Sequence, residues 1–327
     1  MSRELSLAEI FQLGYYWETK ILLTAVKLDL FSTLQSPRAA AELAERIGLH
    51  RPSLELLMNA LVAMRVLRKE ADRYVNTQVA QTYLNKSEPG YVGHLLLLHD
   101  AEWSNWGSLE AAIRTGKSPA RGHVFETDPD LGVSVLQVLD RIGQQSGPTL
   151  AKALDLSSAS TLLDLGGGAG TNAIAFCTVY PQLRATIFDL PQTLNTTIRV
   201  IKDAGMDSRI SVLPGNFNTD GFGGPYDVVL MSDVLHYQNS EDNAALVRKV
   251  FAHLTGGGQL VIKDRFLDEP RTSPAWVTAF AVHIMLNTER GRCYTTAEAM
   301  QWMREGGFGS VVEMERTAVV RGTKPKA

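Results

Sequence analysis

From Thr161 onward, short apolar segments alternate with helical segments, and this alternation is the strongest constraint on the fold. The candidate strands span residues 161–165, 185–189, 210–213, 227–231 and 259–263. Strands that alternate with helices pack into a mainly parallel, doubly wound sheet that has helices on both faces. The sequence therefore predicts an α/β fold for this part of the chain.

The first predicted strand leads into a glycine-rich segment, LLDLGGGAG, which ends at Gly170. Ligands of α/β sheets bind beyond the carboxyl ends of the strands, and glycines let the backbone approach them closely. The free N–H groups of the next helix favour a carboxylate or a phosphate. Gly168-x-Gly170-x-x-Ala173 loosely fits a dinucleotide fingerprint, whereas Asp164-x-Gly166-x-Gly168-x-Gly170 fits the loop of S-adenosylmethionine (SAM) methyltransferases. The segment alone leaves NAD and SAM open.

The next two strands indicate an adenosine ligand. Asp189 ends the strand in TIFDLP, where a carboxylate can accept hydrogen bonds from both ribose hydroxyls. Asn216 and Phe217 end the strand in ISVLPGNF, where an amide can address the edge of an adenine and a phenyl ring can cover its face. Phe217 is equally well explained as a core side chain.

The N-terminal part has a winged-helix pattern. Apolar residues at helical spacing predict helices in residues 6–35, 39–49 and 54–69, with Ser53 as the cap of the third. EADRYVNTQVAQTYL, at residues 70–84, is typical of a short β-wing. The sequence therefore predicts a small, mainly helical domain in front of the α/β domain.

Nucleic-acid binding is not expected of this domain. The helix that would enter a DNA groove begins with Arg51 and Ser53 but is otherwise apolar in its first turns, where base-reading side chains are needed. The net charge of −3 adds no attraction to nucleic acid or to an anionic membrane. The apolar faces of the long helices instead predict a two-fold symmetric homodimer.

The remaining composition predicts a cytoplasmic protein without a membrane anchor. Cys177 and Cys293 are too few for a disulfide framework or a structural zinc site. The first residues lack the pattern of a signal peptide, and no apolar run approaches the ~18 residues of a membrane span.

The order of the glycine loop, FDLP, GNF and YDVVLMSDVLHYQNSED resembles one family closely. The chain resembles the two-domain SAM-dependent small-molecule O-methyltransferases, which include hydroxyindole and caffeate O-methyltransferases and bacterial polyketide tailoring enzymes. The resemblance extends to WGSLEAAIRTGKSP, TGGGQLVIKD and YTTAEAMQWMREGGF. It implies a winged-helix-like dimerisation domain at 1–105 and a Rossmann-like methyltransferase domain at 106–327. Residues 106–156 would be a helical connection that contributes to the acceptor pocket.

The resemblance also implies the cofactor and the residues that bind it. SAM would place its methionine end at the glycine loop and its adenosine beyond the next two strands. The implied cofactor contacts are Gly166, Gly168, Asp189, Leu190, Asn216, Phe217 and Ser232.

His236 is the candidate general base for transfer of the methyl group to a hydroxyl. A hydroxyl is a poor nucleophile until its proton leaves, and imidazole suits that proton transfer. His236 follows the strand VVLMS on the ligand side of the sheet. The resemblance implies two acids that orient the ring, and Asp264, which ends the strand LVIK, matches the first.

The second acid is not evident in the sequence. The resemblance places it within RGRCYTTAE, where Cys293 stands, and Glu289 and Glu298 are nearby substitutes. Relatives also often have His-Asp-Trp where this chain has His236-Tyr237-Gln238. These departures keep open a SAM-binding relative that methylates carbon or nitrogen, or that does not methylate. A SAM-sensing winged-helix regulator and an NAD-dependent dehydrogenase are weaker alternatives.

The acceptor is expected to be a small aromatic or polyketide-like molecule in an apolar pocket. The candidate lining residues, each of which is also explained by helix packing, are Trp103, Trp106, Phe280, His283 and Met285. No metal is expected, because the histidines and acids lack the short ligand spacings of a metal site.

Overall fold

The computed structural model describes residues 4–119, 124–314 and 318–326. The chain divides into two compact units, Met1–Trp103 and Ser104–Ala327. This division falls close to the boundary expected after residue 105.

The first unit is mainly helical and carries a small antiparallel sheet in the order β1-β3-β2. Its elements are α1 (Leu7–Leu13), α2 (Trp17–Lys27), α3 (Leu30–Thr33), β1 (Arg38–Ala39), α4 (Ala40–Ile47), α5 (Arg51–Ala63), β2 (Leu67–Glu70), β3 (Arg73–Asn76), α6 (Gln78–Leu84) and α7 (Gly93–Ala101). The hairpin β2–β3 is the predicted wing, although the residues after it form α6 instead of more strand.

Three details of the predicted helices are wrong. The third helix ends at Ala63 and not at residue 69, because residues 67–70 form β2. Residues 6–35 do not form one continuous helix, since the chain turns at Gly14 and adopts a left-handed conformation at Asp29. Ser53 does not cap the third helix, because α5 begins two residues earlier with His50 as its N-cap and a proline in its first turn. Proline fits a first helical turn well, since its missing N–H would have no partner there.

The core of the first unit excludes its first helix. Leu30, Phe31, Leu43, Met58 and Leu61 are fully buried in one cluster. The helix α1 buries none of its residues, and its capping box at Ser6 and Glu9 holds it as a helix without that burial. An amphipathic helix with an uncovered apolar face needs another surface to cover it.

The second unit is an α/β domain. Its strands are β4 (Thr161–Leu165), β5 (Arg184–Asp189), β6 (Ile210–Pro214), β7 (Tyr226–Ser232), β8 (Leu254–Lys263), β9 (Ser310–Glu313) and β10 (Val319–Thr323). Its helices, after α8 (Trp103–Gly107) between the units, are α9 (Leu109–Thr115), α10 (Val124–Thr127), α11 (Pro129–Ala153), α12 (Thr171–Val179), α13 (Pro191–Asp203), α14 (Ser240–Ala252), α15 (Ala275–Asn287) and α16 (Thr296–Glu305), with a 3-10 turn at Leu235–Tyr237.

The sheet order explains where a ligand can bind. In the described part of the chain the strands follow the order β6-β5-β4-β7-β8-β10-β9, and β4 to β8 are parallel while β10 and β9 run antiparallel. The first strand of this sheet in chain order, β4, lies at its centre. The next two strands, β5 and β6, lie on one side of β4, and β7 and β8 lie on the other. This reversal opens a crevice at the carboxyl ends of β4 and its neighbours. The predicted doubly wound fold and its five strands are confirmed.

Buried apolar side chains cover both faces of this sheet. One cluster centres on Leu163, Phe188 and Ile262, and the other on Leu162, Phe176 and Val261. Neighbouring residues of one strand belong to opposite clusters because side chains alternate between the two faces. No helix among the described residues has both the length and the apolar character to cross a membrane.

Candidate active site

The glycine loop after β4 packs too tightly to carry side chains. Gly166 and Gly168 have φ values of 71° and 55°. A Cβ on Gly166 would lie 2.8 Å from Val234 Cγ2, and one on Gly168 would lie 3.0 Å from Leu136 Cδ1. The loop is therefore held between α11 and the segment after β7, with its backbone open to the crevice.

Asp189, at the end of β5, is fixed beside this loop. Its two carboxylate oxygens accept hydrogen bonds from the backbone N–H groups of Gly168 and Leu190, both at 2.7 Å. Burial raises the pKa of Asp189, and these two amides oppose that shift. Leu190 is half-buried at the start of α13. The structure thus brings four of the predicted cofactor residues together.

Two further carboxylates lie around the same loop. Asp164 in β4 is fully buried, and burial raises its pKa to about 7. One of its oxygens accepts a hydrogen bond from Ala173 N at 3.2 Å, and the other has no partner in the described residues. Asp140 in α11 accepts a hydrogen bond from the Thr171 hydroxyl at the start of α12. The sequence did not point to Asp140, which lies on a helix that precedes the sheet.

The three carboxylates around the glycine loop favour a ligand of positive charge. Among the described residues, Asp140, Asp164 and Asp189 make no ion pair with a lysine, arginine or histidine. Buried carboxylates without a cation favour a positively charged ligand and disfavour an anionic one. The site therefore fits SAM, which carries a sulfonium and an ammonium, and is poorly suited to the pyrophosphate of a dinucleotide.

The predicted adenine contacts lie beyond β6. Asn216 is exposed, and its side-chain oxygen accepts a hydrogen bond from Asn218 N at 2.9 Å. Its amide nitrogen thus remains as the group that can address a base. Phe217 is half-buried and packs against the core cluster of Leu163 and Phe188. This position is compatible with Phe217 as a core side chain and also with a ring that covers the face of an adenine.

His236 lies in the 3-10 turn after β7 and is nearly completely buried. Its Nδ1 lies 2.7 Å from Oδ1 of Asp264, the residue that directly follows β8. Asp264 also accepts hydrogen bonds from Leu235 N at 2.9 Å and Arg265 N at 2.7 Å. Asp264 thus already accepts from two backbone N–H groups, and the adjacent Nδ1 is the ring nitrogen placed to donate to it, which leaves Nε2 as the acceptor of a neutral imidazole.

A second carboxylate beside His236 comes from Asp233. Single ligand atoms of Asp233, His236 and Asp264 lie within 4.8 Å of one another. Asp233 forms an ion pair with Arg265 and another, at 2.8 Å, with Lys263. A metal ion would have to displace these cations, and the expectation of a metal-free site stays a prediction. Asp233 has a left-handed φ of 59° and follows β7 directly, a strand-end position that could have identified it.

Ser232, the last residue of β7, is half-buried between this cluster and the glycine loop. Its hydroxyl donates a hydrogen bond to Asp233 Oδ2 at 3.0 Å and lies 3.5 Å from Lys263 Nζ. Ser232 thus lies between the glycine loop, where the cofactor is expected, and the cluster of His236 and Asp233.

The other candidates for the second acid are occupied elsewhere. Cys293 is buried, and burial raises its pKa to about 12, so it is a neutral thiol. Glu298 belongs to the capping box of α16, where it accepts a hydrogen bond from Thr295 N at 2.8 Å and pairs with Arg271 at 2.9 Å. Glu289 is exposed. The structure does not bring Cys293 or Glu298 to His236 as a carboxylate partner.

Aromatic side chains of α15 face the histidine. The Phe280 ring meets the His236 ring in an edge-to-face contact at 5.3 Å. Trp276 and His283 stack on Phe280 at 5.3 and 5.8 Å, as their spacing on one helix face requires. Trp106 lies 6.3 Å from His283. The structure therefore brings Trp106, Phe280 and His283 together.

Met285 and Trp103 do not join this group. Met285 is half-buried, but it lies five residues beyond Phe280, which is about 140° around the helix. Trp103 ends the first unit, where it contacts the Tyr16 ring at 5.9 Å and Lys20 Nζ at 4.7 Å.

Comparisons with known proteins agree with this fold. Residues 106–309 match the model of the O-methyltransferase domain, and residues 11–86 match that of the O-methyltransferase dimerisation domain. The chain is 33% identical over 314 residues to the tetracenomycin polyketide synthesis 8-O-methyl transferase TcmO of Streptomyces glaucescens, covering 94% of this chain and 91% of that protein. It is 30% identical to the 3-hydroxy-5-methyl-1-naphthoate 3-O-methyltransferase of Streptomyces sahachiroi, covering 90% and 87% of the two chains.

A solved structure gives the same result for the fold. The human N-acetylserotonin methyltransferase in complex with SAM superimposes with a TM-score of 0.84, at 21% identity and with 100% of both chains covered.

The chain therefore belongs to the O-methyltransferase family, with its dimerisation domain in front of the methyltransferase domain. It is a SAM-dependent O-methyltransferase, and the resemblance inferred from the sequence motifs is confirmed.

Proposed function

We propose that the protein methylates a hydroxyl of an aromatic or polyketide-like small molecule, with His236 as the general base. The observation that carries this proposal is the hydrogen bond of 2.7 Å between His236 Nδ1 and Asp264. It fixes the imidazole as the tautomer whose Nε2 can accept a proton. The cofactor supplies a methyl group on a sulfonium, which is already electrophilic, so the protein has mainly to position and deprotonate the acceptor.

The acceptor oxygen would lose its proton to His236 Nε2 while it forms a bond to the methyl carbon, and the bond from that carbon to the sulfonium sulfur would break, so that S-adenosylhomocysteine leaves as a neutral thioether. The imidazolium formed in this step is stabilised by Asp264, which holds the ring in place through Nδ1 and carries a compensating charge. Asp264 is in turn held by the N–H groups of Leu235 and Arg265. A positioned general base of this kind contributes roughly 10²–10⁴ in rate.

We also propose the cofactor contacts that the motifs implied. Gly166 and Gly168 line the methionine end, Asp189 accepts the ribose hydroxyls, and Leu190 flanks the base. Asn216 and Phe217 hold the adenine, and Ser232 lies where the cofactor meets the acceptor. The three carboxylates around the glycine loop, which have no cationic partner among the described residues, support a cationic cofactor at these contacts.

The acceptor class rests on the aromatic face of α15 and on the relatives. Trp106, Phe280 and His283 offer ring surfaces next to His236, which suit an aromatic acceptor. The two relatives described above act, by their names, on a polyketide and on a hydroxynaphthoate. We propose that residues 106–156 help to enclose this acceptor.

The first unit is proposed to form the homodimer. Large apolar side chains near its start are mostly exposed, and Leu7, Phe11, Leu13 and Trp17 each have 56–76% of their surface accessible. Exposed apolar patches of this size are typical of interfaces between subunits. Two free, buried cysteines are consistent with the cytoplasmic location that we propose.

The test is a methyl-transfer assay with isotopically labelled SAM over a set of phenols, hydroxynaphthoates and polyketide-like phenols. Each product is expected to gain one methylene in mass, and the position of the methyl group is read by NMR. Some relatives methylate nitrogen or carbon, so a product methylated at either atom would contradict the proposed hydroxyl acceptor. Equilibrium binding that favours NAD over SAM would contradict the cofactor assignment.

A further inference from the structure

Arg265 is a cation at the edge of the acceptor site that the proposed reaction does not use. Its guanidinium carbon lies 4.7 Å from the centre of the Phe280 ring and 5.4 Å from that of Trp276. Its Nη1 pairs with Asp233, and its side chain is 31% exposed. Among the described residues Nε and Nη2 donate no hydrogen bond, although a guanidinium has five N–H donors. Part of the fork is thus open to a ligand.

Arg265 shares its carboxylate partner with a second cation. Asp233 is shared by Arg265 and by Lys263, whose Nζ lies 2.8 Å from Asp233 Oδ2. One carboxylate therefore faces two cations, and the remaining acid of the group, Asp264, is engaged by His236 and two backbone amides. A cation pair with one shared anion and unused planar donors is a favourable place for an oxyanion.

Arg265 and His236 contact the same aromatic ring. The guanidinium lies over the face of Phe280, and the imidazole meets the Phe280 ring edge-to-face at 5.3 Å. Arg265 also follows Asp264 directly, so the anchor of the histidine fixes the start of the arginine side chain. An aromatic acceptor whose hydroxyl meets Nε2 can therefore present a substituent of its ring system to Arg265.

We infer that Arg265 anchors a carboxylate of the acceptor, so that the substrate is a hydroxylated aromatic acid. The inference rests on the proposed function, since it assigns the acceptor class of that same site. It makes Arg265 a specificity-determining residue: it selects and orients the acid, while His236 removes the proton of the hydroxyl.

The experiment measures binding of 1-naphthoate and of 1-naphthamide to the full-length protein saturated with S-adenosylhomocysteine. The two probes share their shape, and only the first carries a charge. Arg265→Gln removes the cation, Arg265→Lys keeps a point charge without the planar fork, and Arg271→Gln is the matched control. Arg271 is half-exposed and pairs with Glu298, so its replacement makes the same change of net charge away from the acceptor. Circular dichroism and S-adenosylhomocysteine affinity verify that each variant is folded.

We expect naphthoate to bind the parent protein at least tenfold more tightly than naphthamide. The preference should vanish in Arg265→Gln, be reduced in Arg265→Lys and persist in Arg271→Gln. The inference is overturned if the parent protein does not prefer naphthoate, including the case in which neither probe binds. It is also overturned if Arg265→Gln weakens both probes equally, because the arginine then only supports Phe280. Neither probe has a hydroxyl and no methyl group is transferred, so this result is independent of the methyl-transfer assay.

Discussion

The pair of His236 and Asp264 makes the sharpest prediction about the chemistry. Asp264→Asn keeps the size of the side chain but replaces one of two acceptor oxygens with a donor. In the parent protein, one oxygen accepts from His236 Nδ1 and Arg265 N, and the other accepts from Leu235 N. Either orientation of the new amide therefore sets an NH₂ group against a buried N–H, a loss of about 1–3 kcal/mol in stability.

The effect on rate depends on the imidazolium that forms when His236 accepts the proton. Asp264 makes a charge-assisted bond to that ring, and such bonds are worth about 1.5–3 kcal/mol. If Asp264→Asn loses this stabilisation only in the transition state, kcat should fall by about 10–100-fold. His236→Ala removes the base itself, so kcat should fall by roughly 10²–10⁴ while cofactor affinity changes little.

The assay is kcat at saturating SAM with a phenol whose pKa is near 10, because a more acidic phenol ionises without a base. S-adenosylhomocysteine affinity, measured by calorimetry, verifies the cofactor site in each variant. Asp242→Asn is the control, since Asp242 lies at the start of α14 and pairs with Arg290 at 3.0 Å. A folded His236→Ala enzyme with near-parental kcat would refute the role of the base.

Three further predictions concern the cofactor site and the first unit. Asp189→Ala should weaken SAM binding tenfold or more, because each charge-assisted ribose bond contributes about 1.5–3 kcal/mol, and unchanged affinity in calorimetry would contradict this. Asp164→Asn should raise the melting temperature of the ligand-free protein more at pH 8 than at pH 6. Burial raises the Asp164 pKa to about 7, so the carboxylate is ionised at a cost above that pH and protonated below it, and equal shifts would contradict the assignment. Phe11→Asp with Trp17→Ser should yield monomers in sedimentation at micromolar concentration, whereas a monomeric parent protein would exclude the proposed homodimer.

The sequence predicted the fold well wherever a single element carried the signal. Parallel strands buried on both faces are continuous apolar runs, and the five runs from Thr161 matched five strands. Because parallel strands end at one edge, the residues after them, such as Asp189, His236 and Asp264, could be assigned to one crevice. Local signals also account for the positions of two other candidates. Thr295-x-x-Glu298 is a capping-box pattern, and helical spacing separates Met285 from Phe280.

The contacts that sequence reasoning missed join elements far apart in the chain. Asp233 follows β7, whereas its partners Lys263 and Arg265 lie at the end of β8, and only the strand order makes them neighbours. Asp140 reaches the cofactor loop because α11 packs on α12, which no periodicity within α11 indicates. Side-chain partners across a sheet depend on which strands are adjacent, and that information is absent from local patterns.

The strand order also divides the crevice by charge. The side of β4 and β5 holds Asp164 and Asp189 without a cation among the described residues, and so favours a positive ligand. The side of β7 and β8 holds His236 with two cations, Lys263 and Arg265, and two carboxylates, Asp233 and Asp264. A cationic methyl donor would thus meet carboxylates on the first side, and an anionic acceptor would meet the Arg265 guanidinium on the second. On this side of the crevice, Asp264 is the carboxylate that pairs with His236, because Asp233 pairs with Lys263 and Arg265. His236 can therefore rely on Asp264 alone although Asp233 lies nearby, because Asp233 pairs with Arg265 and Lys263 and not with the histidine.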